Sequence, residues 1–147
     1  MASTVTATTL TSTITESISL NGNTYGNTVT HSVATQGEAY SRTLNVATSE
    51  TTIASFGSAD AGGTVVGDDV SYMRFTNLDD TNYVQLTFKT GGSNFSVKLR
   101  AGESYVCMNN QMDADDDTTM GTLADCTSVT GKGNTTAIDV EFIIVSA

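Results

Sequence analysis

The sequence predicts an all-β fold: an antiparallel, jelly-roll-like β-sandwich of eight or nine short strands with an N-terminal arm. Three observations predict it. Twenty-seven Thr, fifteen Ser and thirteen Gly stand against no Pro and no Trp, and β-branched Thr is poor in helices but suits the polar face of a strand. Apolar residues recur with period two in one segment after another. Turn clusters separate these segments at short, nearly regular intervals, the spacing of sandwiches and barrels rather than of α/β units. With 147 residues the chain has the length of one domain, 1–147, in which 1–33 reads as an extended hairpin or arm and 64–147 is the most strongly patterned part.

The elements follow in order. Leu10, Ile14, Ile18 and Leu20 alternate with Thr and Ser, which makes a strand, and Asn21-Gly22 accepts the positive φ angles of a tight hairpin turn. The chain therefore reverses into a return strand in which Tyr25, Val29, His31 and Val33 share one parity. A strand over Tyr40 to Val46 and a short apolar contact at Ile53 and Phe56 come next. Residues 57–63 read as an exposed loop, and as a candidate boundary between arm and body. Val70 to Leu78 and Tyr83 to Phe88 flank the turn cluster Asp79-Asp80-Thr81-Asn82 and are expected to form a second hairpin. Gly91 to Asn94 turns the chain into Phe95–Arg100, and Ala101-Gly102-Glu103 turns it again into Ser104–Met108. Residues 109–122 form a polar, acidic loop, Leu123–Val129 a weak strand, and Gly131–Asn134 a turn. Ala137–Val145 ends in a continuous apolar run, as in a strand buried on both faces.

Charge narrows the function. Sixteen acidic residues against six basic ones leave a formal net charge of −10, which repels a phosphate backbone, so nucleic acid is not an expected partner. No apolar run reaches the length of a membrane-spanning helix. The opening Met1-Ala2-Ser3-Thr4-Val5-Thr6 has neither the positive start nor the apolar stretch of a signal peptide. The expected product stays in the compartment of its synthesis, and Cys107 and Cys126 are expected there as reduced, partly buried thiols.

Candidate chemical groups are few. His31, the single histidine, lies on the apolar parity of a strand and reads as an interface or half-buried residue rather than a base. Asp113, Asp115 and Asp117 alternate like the first half of a calcium loop, but Thr118 and Ala124 stand where the Gly and the closing Glu belong. They mark a weak Ca2+ candidate within a solvated acidic loop, and no cofactor is expected. Asp68-Asp69 and Asp79-Asp80 read as turn formers rather than as the paired acids of a glycosidase. Lys98 and Arg100, with Lys89 close by, place basic side chains on the outward parity of one strand, suited to an acidic partner surface or to guarding an edge.

The run Tyr72-Met-Arg74-Phe75-Thr-Asn77-Leu78-Asp79-Asp80-Thr81-Asn82-Tyr83-Val84-Gln-Leu86 resembles a hairpin of small virion structural proteins of tailed bacteriophages of marine type. The step Leu99-Arg100-Ala101-Gly102-Glu103 and the Thr-rich opening are similar, while the absence of Pro near Leu99 departs from many such hairpins. The likeness covers residues 1–20 and 70–106 and brings no catalytic residue. It implies a capsid decoration or cement protein, not an enzyme. Such a protein works as a homo-oligomer, here expected as a trimer, bound between major capsid subunits of a virion assembled in the host cytoplasm. The alternatives are a tail, neck or fibre-associated protein and, from another class, a small carbohydrate-binding module using Tyr25, Tyr72, Tyr83 or Tyr105. For the interface, Leu10, Ile14, Ile18, Lys98 and Arg100 are the expected residues.

Overall fold

Alternation along the first third of the chain becomes one long hairpin. The computed structural model describes residues 6–58, 64–112 and 123–147. Strand β1 (Thr8–Thr15) pairs with β4 (Thr28–Gln36), and β2 (Ile18–Leu20) with β3 (Asn23–Tyr25). The register is continuous from Leu10↔Val33 to Leu20↔Asn23, carried past residues 16–17 by a bond from the Glu16 N–H to the Asn27 carbonyl at 2.9 Å. At the tip Asn21 and Gly22 have φ of 53° and 81°, the pair of left-handed residues that a two-residue hairpin requires.

The ribbon meets the body at Thr35, which takes φ 62°, a rare value for a β-branched residue. Beyond it Gln36 is buried, its side-chain oxygen against the Ser71 hydroxyl, and the Gly37 N–H donates to the Ser146 carbonyl at 3.0 Å. The boundary between arm and body therefore lies at residues 35–37 and not at 57–63. Strand β5 (Glu38–Val46) already belongs to the body, because it pairs with β14 (Ile138–Ser146) along its whole length. Of the expected 57–63 loop, residues 59–63 lie outside the described part.

Two sheets make the body. One runs in the order β11 (Ser104–Cys107), β8 (Val70–Asn77), β14, β5. The other runs β10 (Asn94–Leu99), β9 (Val84–Thr90), β13 (Ala124–Gly133), β6 (Thr51–Gly57), β7 (Thr64–Val66), with the short β12 (Gln111–Met112) on β13. All pairings are antiparallel except β6 with β7. The fold is thus the expected all-β sandwich, with fourteen strands among the described residues rather than eight or nine, since each long segment of the ribbon is split in two, the short apolar contact at Ile53 and Phe56 is a full strand, and β7 and β12 are too short to show a period. Met73, Phe75, Val140 and Ile144 of the first sheet and Val84, Leu86, Phe88 and Val129 of the second are fully buried in one core. Phe75 meets Phe88 edge-on across the layers at 5.7 Å, a favoured aromatic geometry.

Four expectations change. The cluster 79–82 does not close a hairpin: β8 and β9 lie in different sheets, so the segment is a corner that carries the chain across the sandwich. Turn chemistry is common to both uses, and only the partners of the flanking strands tell them apart. The weak strand 123–129 is part of β13, which pairs with both β9 and β6. Nor does the chain turn at Gly131: β13 continues through Gly133, and a Cβ at Gly131 would stand 2.8 Å from the Ile53 Cδ1 and 3.0 Å from the Val46 Cγ1. Gly131 marks close approach of Val46 in the facing layer, whereas a Cβ at Gly133 would meet the Thr136 carbonyl oxygen of the following turn. Strand β14 alternates up to Ile143 and is buried on both faces only over residues 144–146.

Candidate interaction site

The most distinctive surface is the face of the ribbon. Residues opposite one another in an antiparallel pair share a face, so the pairs Leu10↔Val33, Ile14↔Val29 and Ile18↔Tyr25, with Leu20, line up on one side. The other side is almost entirely hydroxyl: Thr11↔Ser32, Thr13↔Thr30, Thr15↔Thr28 and Ser19↔Thr24. Its threonines bond to each other at 3.4 Å (Thr13 and Thr30) and 3.2 Å (Thr15 and Thr28).

Alternation of this kind normally buries the apolar side, yet here it stands in water. Ile14, Ile18, Leu20, Tyr25 and Val29 are 42–57% exposed. Five of the eight exposed large hydrophobic side chains among the described residues therefore belong to the ribbon, and neither β1 nor β4 joins a sheet of the body. Leu10, Ile14 and Ile18, named from the sequence, fall on this face. Leu20, Tyr25 and Val29 complete it; their signal was the Asn21-Gly22 turn, which fixes the partner of each residue.

Lys98 and Arg100 are exposed, as their parity requires, but the basic cluster is already engaged within the chain. The Lys98 Nζ lies 4.0 Å from the centroid of the Tyr83 ring. The Arg100 guanidinium lies 3.6 Å from the Glu103 carboxylate, just beyond the end of β10, and the Lys89 ammonium meets Glu50 at 2.6 Å. Arg74 is paired with Glu141 across β8 and β14.

The paired acids have structural partners. The Asp79 carboxylate accepts the N–H of Thr81 at 2.8 Å and of Asn82 at 2.5 Å, and these bonds hold its pKa below the usual carboxylate value. Asp80 accepts the Thr81 hydroxyl at 2.9 Å, and Asp139 accepts from the Asn45 amide at 2.8 Å. Asp79, Asp80 and Asp139 line one shallow hollow with Asn45, and no group of acids, His or Cys suited to a metal ion occurs among the described residues. Asp113, Asp115 and Asp117 lie outside the described residues, as does the Asp68 side chain.

His31 faces Ser12 across the ribbon, half-buried, with no hydrogen bond between them among the described residues. A cavity of about 350 Å³ opens between β5 and β6, over Tyr40, Ile53, Val65, Phe142 and Ile144. Tyr72 is buried and Tyr105 packs against the core, while Tyr25 stands on the arm and Tyr83 lies under Lys98. The four tyrosines do not form one platform. Cys107 and Cys126 are free thiols. Burial, and then the neighbouring charge of Cys126, pushes the Cys107 thiol up to about 11, and burial raises Cys126 as well.

No protein family, no curated protein and no solved structure matches this chain.

Proposed function

We propose that the chain is a structural protein of a virion, a capsid decoration or cement protein that stabilises a phage head by binding between major capsid subunits. The observation that carries this reading is the ribbon: a sandwich projects a two-stranded arm whose apolar face has no cover among the described residues of its own chain. Such a face is suited to burial against other subunits. The likeness of residues 72–86 to phage virion proteins supports the same reading. In this chain its Asn77, Asp79 and Asn82 build the corner between the sheets. That run therefore describes a scaffold for an assembly role rather than a reactive site.

Many small clamps on a lattice add stability by mass action, because they bind assembled subunits and not free ones. The test compares purified particles with and without the protein by negative-stain microscopy, before and after heating. The expected result is surface density in its presence and a lower temperature of head rupture in its absence. Particles of equal integrity with no surface density overturn the proposal, and rings or end-to-end polymers of the isolated protein place it in the tail instead.

A further inference from the structure

We infer that the apolar face of the ribbon is covered by the same face of a second copy of this chain, so that copies associate arm to arm with no shell present. This goes beyond the proposed role on the capsid and does not depend on it.

The first ground is stability. A two-stranded hairpin is marginal in water and holds its shape when a further layer covers its apolar side, and among the described residues no strand of the body supplies that layer. The second is charge. The ribbon carries one of the sixteen carboxylates, Glu16, and none of the six Lys and Arg, so nearly all of the net charge of −10 resides elsewhere. Two bodies repel each other far more strongly than two ribbons, each with one carboxylate. A partner selected by charge finds on this face a single carboxylate, Glu16, while a regularly spaced, mostly apolar face fits another of its kind.

The third ground is size. From Thr8 to Leu20 at about 3.4 Å per residue the ribbon is roughly 40 Å long, and two strands make it about 10 Å wide. Two facing ribbons therefore cover roughly 800 Å² of flat surface, and more once corrugation is counted, near the lower limit of specific interfaces. Contact of that area gives an association that depends on concentration.

Sedimentation equilibrium of the purified full chain tests this, with Ile14→Thr/Ile18→Thr/Val29→Thr beside the wild type. Threonine keeps strand propensity and reproduces the opposite face of the same ribbon, and none of the three residues belongs to the core. The wild type should form dimers or trimers, and the variant should lose about a hundredfold or more in association constant while its body melts at an unchanged temperature. Added salt should strengthen wild-type association by screening the acidic bodies. In a second experiment Ile14→Cys should form cross-links between copies under mild oxidation, and Thr13→Cys, on the hydroxyl face, should not. A wild type that stays monomeric at every concentration, an oligomer indifferent to the triple substitution, or equal cross-linking from both faces overturns the inference. Each result is read without capsids, so it is separable from failure of the virion role.

Discussion

Asn77 is a fully buried polar residue, and its bonds explain why it is tolerated among apolar neighbours. Its amide nitrogen donates to the carbonyls of Asn82 at 2.9 Å and Leu99 at 3.1 Å, while its side-chain oxygen accepts the Asp79 N–H at 2.9 Å. One side chain thus ties the end of β8 to both neighbouring crossings between the sheets. Asn77→Ala should cost about 2–4 kcal/mol in urea denaturation, because it strands two buried carbonyls and an N–H that water reaches poorly. Loss of less than half a kilocalorie would mean that the corner does not depend on it. Gly131 acts through space rather than through bonds. A methyl there meets Ile53 and Val46, and because both side chains can give a little, Gly131→Ala should cost about 1–2 kcal/mol by the same measurement.

At the level of elements, the ribbon and the body share little beyond their joint. Gly22→Val forces a branched side chain into φ 81° at the hairpin tip, where only residues lacking that steric load sit easily. Amide exchange over residues 18–25 should quicken by tenfold or more. The melting temperature of the body should hold, and a body that melts early would show that the ribbon supports the sandwich. Much of this architecture was legible. Alternation from Leu10 to Leu20 and the Asn21-Gly22 step give the ribbon, its turn and its two faces, because local pairing fixes all three. What no local pattern reveals is which sheet a strand enters. Residues 79–82 read as a hairpin turn because Asp79 caps the N–H groups of Thr81 and Asn82 in the same way at a corner. Gly131 reads as part of a turn because its reason, the closeness of Ile53 and Val46, lies some eighty residues away in the chain. The candidate face was visible as alternation on both strands, from Leu10 to Leu20 and from Tyr25 to Val33, although only Leu10, Ile14 and Ile18 were expected at the interface. Its exposure was not, since alternation records that one side is apolar and says nothing of what covers it.

For the whole molecule, two groups of titrating side chains make stability depend on pH, and their signs are opposite. Asp79, held low by the N–H groups of Asn82 and Thr81, stays ionised in the native state below the pH at which an unfolded carboxyl takes up its proton near 3.8. Its contribution is therefore complete above that value and disappears as pH falls through the lower, native pKa. Cys107 works in the other direction. Unfolded, its thiol ionises near 9; folded, burial first and the Cys126 charge second keep it neutral to about 11. Between these values unfolding releases a proton, so stability falls as pH rises from about 9 to 11 and levels off beyond. Tyr105, raised by its own burial and then by Cys107, extends the same alkaline loss. Thermal melts across pH should thus show a plateau through neutrality with a decline on each side. Asp79→Asn keeps an oxygen for the two N–H groups and should flatten the acid limb, and Cys107→Ala should weaken the alkaline one. If neither substitution alters its own limb, the native environments of these two groups are not those that the corner and the β8–β11 edge provide.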